Sequence, residues 1–361
     1  MRILLDLRCL SQAKTGIQIV AANFLEELLD GSPKEQLRIL ASESCRIDAR
    51  VEDRHIIRSG VAPYDFRRQG KIAALINACD ADMVISPTYF MPFGVRKPYI
   101  ITVHDLIPRK VWLGAPSLYV WAFLGSRMRR ARAVWTVSEY SRQQILRYYP
   151  ELRGHTDVVP SGYITPKHSE PGEKDEHSLL LFASRFRHKN VPFALRTFEI
   201  LQALSGDTWK LHVVGNASHL KENTLPKGVC LRGRVSDGDL SEIFRHCWGI
   251  LIPSMEEGFS LPLLEGMSHG CLVFYHRQTA MRETAGEAGI GLDLDRPEEW
   301  ARAIFALAEN TGHGKEQRTR ALKRAAEFTR ERFGAALHQA LARSFEGWPG
   351  GTAGAESNRC P

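Results

Sequence analysis

"GILIPSMEEGFSLPLLEGMSHGCLVF", residues 249–274, runs from one short apolar stretch through a loop and a helical pattern into a second apolar stretch. GILIPS reads as a buried strand ending at Ser254, and CLVFYH as the strand that follows. Between them the helix begins near Leu261 and Pro262. Ser260 is placed to cap it, and proline is tolerated in a first turn because no N–H bond is lost there. Gly258 lets backbone approach a ligand closely, with Phe259 beside it. The free N–H groups of such a helix start attract an anion such as a phosphate. Glu257 stands before the turn and Glu265 inside the helix, so the two carboxylates need not share a helix face. They can grip two parts of one elongated ligand with a phosphate between them.

The same alternation extends in both directions. Strands are expected at RILLDLRCL, LRILAS, ADMVISP, YIITVHD, AVWTVSE and DVVPSG, with helical periodicity in TGIQIVAANFLEELL and between several of the others. A polar, proline-containing stretch, ITPKHSEPGEKDEH (164–177), reads as a linker. The pattern then restarts with SLLLFAS, a helix at 191–204, WKLHVVGN, GVCLRGRV and a helix at 238–246. One helix is expected over 315–345 and a disordered tail over 346–361. This is an α/β chain with parallel sheets: domain one over 1–163 and domain two over 178–314. Tandem α/β domains take ligands at the carboxyl ends of their strands.

The bulk numbers narrow the class. The 361 residues are 43% hydrophobic and 25% charged, the balance of a globular protein. No apolar run is long enough to span a bilayer, and MRILLDLRCLSQ is too short and too charged at Asp6 for a secretion signal. The seven cysteines form no CxxC or other metal-spaced cluster, which predicts reduced thiols, a cytoplasmic setting and no metal site. The net charge of +7 lies entirely in the first half: residues 1–165 hold 23 Lys/Arg against 16 Asp/Glu. That half suits nucleic acid, an anionic membrane surface or an anionic substrate, and charge alone does not choose among them. Scattered tryptophans give no stacking platform for nucleic acid. There is no GxGxxG after the first strand and no GxxxxGK[ST], which counts against a nicotinamide dehydrogenase and a P-loop NTPase. Asp80-Ala81-Asp82 mimics a DxD metal motif, but it precedes a strand and reads as ordinary.

EGFSLPLLE resembles the E-x7-E signature of the family-four retaining glycosyltransferases, and six further segments stand in that family's order along the chain. FASRFRHKNVPFAL resembles its arginine–lysine pair for the donor diphosphate, which falls on Arg185 and Lys189; Ser184 stands where the family has glycine. LHVVGN and LRGRVSDGDL resemble the next two strands, with Arg234 and Val235 near the base. TGIQ resembles the glycine loop, where Gly16 approaches phosphates. ITVHDLIP resembles a segment whose histidine, here His104, lies beside the transferred sugar in that family, and VWTVSEYSRQQI resembles the strand and helix after it.

The resemblance covers most of residues 1–335. It implies the GT-B fold, two Rossmann-like domains with parallel sheets facing across a cleft, a helix 315–345 packing back toward the first domain, and hinge closure about 164–177. It assigns Glu257 to the donor sugar and Glu265 to the ribose, with Gly258, Phe259, Ser260 and Leu261 lining the nucleotide. The implied reaction is metal-independent transfer with retention. The expected donor is a GDP-sugar, best GDP-mannose, over dTDP-rhamnose or a UDP-sugar. The expected acceptor is a cell-surface glycan or lipid-linked saccharide at the inner membrane face. A sugar-nucleotide epimerase and a non-catalytic nucleotide-binding subunit are the other readings.

Overall fold

A computed structural model gives the fold and describes residues 1–10, 16–31, 36–62, 65, 67–107, 115–161, 173–218 and 220–346. The expected linker from 164 to 172 and the tail from 347 onward lie outside the described residues. The chain forms two compact units.

The first unit is a seven-stranded, all-parallel sheet in the order β3-β2-β1-β4-β5-β6-β7. Its strands are β1 (Ile3–Asp6), β2 (Leu37–Ser42), β3 (Ile56–Ser59), β4 (Met83–Ser86), β5 (Tyr99–Val103), β6 (Ala133–Thr136) and β7 (Thr156–Val158). Helices α1 (Gly16–Gly31), α2 (Gln69–Ala78), α3 (Ala115–Arg130) and α4 (Glu139–Tyr148) connect them. β1, β4, β5 and β6 are buried along their whole length. This is why they read as unbroken apolar runs: a parallel strand is covered on both faces.

The second unit is a six-stranded parallel sheet in the order β10-β9-β8-β11-β12-β13. It contains β8 (Asp175–Ala183), β9 (Lys210–Gly215), β10 (Val229–Gly233), β11 (Cys247–Ile252), β12 (Leu272–His276) and β13 (Ile290–Leu292). Its helices are α5 (Val191–Ser205), α6 (Asp237–His246), α7 (Leu261–Ser268), α8 (Met281–Ala285), α9 (Pro297–Glu309) and α10 (Thr311–Ala325). One core cluster lies under α5 and α9, around Phe198, Leu201, Trp248 and Trp300. A second lies on the other face, around Phe244, Ile250, Leu263 and Met267.

Three boundaries differ from the sequence reading. β8 begins at Asp175, inside the stretch read as linker. The single helix expected over 315–345 is two, because the chain turns at Ala326–Thr329. There Glu327 and Phe328 N–H groups bond back to Arg324 and Ala325, and the Phe328 ring packs edge-on against Phe259 at 5.7 Å. α10 belongs to the second unit. The last helix, α11 (Arg330–Phe345), belongs to the first. It packs on α1 through Phe333 and Phe24, 5.8 Å apart. Its Arg330 pairs with Glu26 at 3.1 Å and also with Glu27 and Asp30. The short edge strands β3 and β13 were not expected. Among the described residues no helix is long and apolar enough to cross a membrane.

Candidate active site

In each sheet the strand order reverses once, between β1 and β4 and between β8 and β11. Open α/β sheets bind ligands outside the carboxyl ends of the strands at such a reversal. The sequence-predicted residues fall at these two edges.

In the second unit the loops after β8 and β11 meet. β8 ends at Ala183 and the chain enters a 3₁₀ turn, Arg187–Lys189. The Ser184 hydroxyl accepts the Phe186 N–H at 3.2 Å, so serine closes this turn without the positive φ that would call for glycine. Gly215, ending β9 next door, is different: φ is +109°, and a Cβ would lie 2.4 Å from the Ala183 carbonyl oxygen. The two loops are stitched by the Met255 N–H donating to the His188 carbonyl at 2.7 Å. Lys189 Nζ then reaches Glu257 Oε1 at 2.6 Å. The lysine side chain is 24% exposed and the glutamate 12%.

Burial raises the Glu257 pKa, but the Lys189 charge, its hydrogen bond and a further bond from Ser254 outweigh it and hold the carboxyl below its usual range. Two residues far apart in sequence and assigned to one ligand are thus in direct contact. Arg185 is exposed beside them and, among the described residues, has no hydrogen-bond or ion-pair partner.

Ser260 corrects one expectation. It stands at the cap position of α7, but its hydroxyl makes no capping bond. Its backbone is left-handed, φ 76° and ψ 80°, whereas a capping side chain needs an extended backbone to turn back over the first turn. The hydroxyl is buried and has no partner among the described residues. Phe259 and Leu261 are buried on either side, and the Phe259 carbonyl accepts the Thr284 hydroxyl at 3.0 Å. Gly258 is buried in the same loop. Glu265 is half-buried on the second turn of α7, and its carbonyl accepts the His269 N–H at 3.2 Å.

Arg234 and Val235 follow β10. Arg234 is exposed, and the Val235 side chain packs on the core beneath α6. Val235 also lines a cavity of about 520 Å3 between α6 and β9–β10, together with His212, Arg232 and Asp239.

In the first unit His104 follows β5. Its Nε2–H donates to the carbonyl of Pro87, just past β4, at 2.7 Å. Burial lowers its pKa, and that carbonyl only partly offsets it, so the ring is held neutral with Nδ1 free to accept. The Ser141 hydroxyl fixes the His104 carbonyl at 3.1 Å. Asp105 Oδ1 accepts the Ile107 N–H at 2.9 Å, closing the next turn. Gly16 opens α1 and is exposed; the loop before it, 11–15, lies outside the described residues. Asp80 and Asp82 sit at the opposite end of the sheet, where the side chain of Arg2 pairs with Asp80 and its N–H donates to Asp82 at 2.7 Å. Among the described residues no group of three His, Cys, Asp or Glu is arranged to hold a metal.

Sequence reasoning missed three groups at these edges. Asp6 and Arg8 form an ion pair at the end of β1, Nη2 to Oδ2 2.6 Å and Nε to Oδ1 2.8 Å. Their side chains are 4% and 2% exposed. The DLR spacing was visible, but nothing in it announces burial. His188 is buried between Arg185 and Lys189, and Ser254 backs Glu257.

Two parallel-sheet Rossmann-like domains, each with one strand-order reversal, make up the GT-B fold. Comparison with known proteins gives the family. Residues 16–166 match the model described as Glycosyltransferase Family 4, and residues 177–310 match Glycosyl transferases group 1. The chain is a family-four-like glycosyltransferase with the GT-B fold. It is 23% identical over 280 residues to O-antigen chain mannosyltransferase B of Escherichia coli, spanning 68% of this chain and 70% of that one. It is 22% identical over 213 residues to O-antigen chain mannosyltransferase RfbU of Salmonella typhimurium, spanning 56% of this chain and 59% of that one. The fold superimposes on sucrose-phosphate synthase from Thermosynechococcus elongatus with a TM-score of 0.75 at 15% identity, covering 96% of this chain and 99% of the other. Anabaena HepE in complex with UDP and glucose gives 0.69 at 15% identity, covering 95% and 99%.

Proposed function

We propose that the protein moves a hexose, with retention, from a nucleotide-sugar to a cell-surface glycan or lipid-linked saccharide. The observation that carries this is the Lys189–Glu257 pair at the reversal point of the six-stranded sheet, beside the unpaired Arg185 and the uncapped start of α7. Breaking a glycosyl–phosphate bond builds negative charge on the leaving diphosphate, and fixed cations and N–H groups stabilise it. Arg185, Lys189, the first N–H groups of α7 and the Ser260 hydroxyl supply them. Glu257 holds sugar hydroxyls, Glu265 the ribose, and the Arg234–Val235 loop the base. With two side-chain cations on the diphosphate the reaction needs no divalent metal, so turnover persists in excess chelator. His104, neutral and oriented through Pro87, hydrogen-bonds the sugar or acceptor hydroxyl. No covalent nucleophile is invoked; the leaving phosphate takes the acceptor proton.

GDP-mannose is the proposed donor, supported by relatives named mannosyltransferases. The solved neighbour holding UDP and glucose favours a UDP-sugar as the second reading. The basic first half is proposed to meet anionic membrane, where Phe93 is 48% exposed and lies 4.1 Å beneath the Arg127 guanidinium. A thermal-shift screen of GDP-, UDP-, dTDP-, ADP- and CDP-sugars tests the donor through ligand linkage. A clear shift with GDP-mannose alone supports the proposal. A shift confined to another base overturns the guanosine assignment, and product formed from donor without acceptor identifies an epimerase instead.

A further inference from the structure

Lys189 has two assignments that it cannot meet with equal strength at once. In the free protein it neutralises Glu257 at 2.6 Å. In the proposed reaction it turns to the donor diphosphate, which leaves a largely buried carboxylate short of its cation. Such an uncompensated charge is costly, and the residue beside the lysine in the same turn is able to replace it. His188, the preceding residue in the same 3₁₀ turn, is buried, and its Nδ1 has no partner among the described residues. A buried polar atom without a partner calls for an explanation. Its backbone carbonyl is anchored to Met255, two residues before Glu257, and its ring stacks on Phe186 at 5.8 Å.

We propose that His188 is a positioning residue that takes over Glu257 as charge and hydrogen-bond partner when Lys189 turns to the diphosphate, gaining one proton from solvent at the exchange. This rests on the donor reading above.

The charged groups acting on His188 support the exchange. Burial comes first and favours the neutral ring; Lys189, from its own turn, disfavours a second positive charge; Glu257, from the loop after β11, favours it. From β12, His276 bonds the Ser254 backbone in the same loop and is itself held neutral by burial. In the free protein burial and the lysine together outweigh Glu257, and His188 stays neutral. Remove the lysine from Glu257, and burial is opposed by an unshared carboxylate. The loop thereby keeps Glu257 ionised and in place for the sugar while its first partner is engaged elsewhere.

The test is a proton NMR titration of the His188 ring, assigned by its absence in His188→Gln. In the wild type it titrates below the ordinary histidine value. In Lys189→Met, which imitates the departure of the lysine, it rises by about one pH unit or more, the effect of an adjacent opposite charge. Adding Glu257→Gln to Lys189→Met abolishes the rise. No rise in the single variant, or a rise that survives in the double variant, overturns the proposal; the latter means only that a like charge was removed. Calorimetry of GDP and UDP, in buffers of different ionisation enthalpy, compares the wild type with His188→Gln, so that protons lost by the nucleotide's own terminal phosphate, which titrates near the same pH, cancel in the difference. The wild type takes up about one more proton per nucleotide near the histidine range, where the free ring is neutral and the paired one charged; no difference for a nucleotide that binds both proteins overturns the exchange. The NMR arm contains no nucleotide, so its failure counts against the exchange alone. Failure of both nucleotides to bind counts against the donor reading.

Discussion

The two sheets reverse at equivalent points, yet their carboxyl edges carry opposite electrostatics. At the first unit's edge the charge is sealed: Asp6 and Arg8 neutralise each other almost out of water, and His104 is kept uncharged by burial. At the second unit's edge the charge is open. Lys189 and Glu257 pair at a loop crossing with the lysine 24% exposed, Arg185 is exposed with no partner among the described residues, and a buried hydroxyl stands at a helix start. In the proposed reaction the first edge would offer neutral hydrogen bonds to the acceptor, and the second would offer positive charge to the diphosphate. The same topology is specialised by where its ion pairs lie relative to water.

The largest effect follows from the sealed pair. Arg8→Met leaves Asp6 buried without a cation and lowers stability by about 3–5 kcal/mol, while Asp6→Leu with Arg8→Met restores most of it. Lys189→Met also strips the cation from a largely buried carboxylate, but Glu257 is 12% exposed against 4% for Asp6 and keeps its Ser254 bond, so the loss is smaller, about 2 kcal/mol. Urea unfolding of the three variants measures both, and equal losses at the two edges would erase the contrast. Next comes Ser260→Ala. With no protein partner to lose, its stability changes little. Its affinity for the preferred nucleoside diphosphate falls roughly tenfold, the worth of one hydrogen bond to a charged group. Unchanged affinity would remove Ser260 from the phosphate contacts.

The smallest effect is in pH. The folded His104 pKa lies below its unfolded value, so its contribution is present above the ordinary histidine range and is lost as pH falls through it. Glu257, also depressed, keeps its contribution until the lower, carboxylate range. The stability gap between wild type and His104→Gln therefore narrows at a higher pH than the gap for Glu257→Gln. Denaturant melts across pH 4 to 8 check the order.

Much of this was legible in the sequence, for a physical reason. Strands such as ILLD, YIITV and CWGILI are buried on both faces, so burial writes itself as an apolar run. Glu257 and Arg185–Lys189 stood out in the sequence because each lies in a strand-to-helix loop whose composition departs from both neighbours, with Glu265 in the helix that follows. Edge strands β3 and β13 were not: IIRS and IGL are short, and half-exposed positions tolerate charge and glycine. The break between α10 and α11 was hidden because Ala326–Thr329 contains no glycine or proline. It is made by Phe328 turning to meet Phe259, a contact nearly seventy positions away. The Asp6–Arg8 seal and the His188 vacancy are likewise tertiary facts. Sequence gives the residue types, but burial decides that one pair is closed and one ring nitrogen open.

The central claim is that the open edge of the second unit receives a nucleotide diphosphate through Lys189. Calorimetric titration of GDP, UDP and dTDP into the wild type and Lys189→Ala tests it most directly. The account predicts one-to-one binding of at least one nucleotide, weakened on the order of a hundredfold in the variant while thermal unfolding stays cooperative. Equal affinity in the two proteins, or no binding of any of the three, would contradict it.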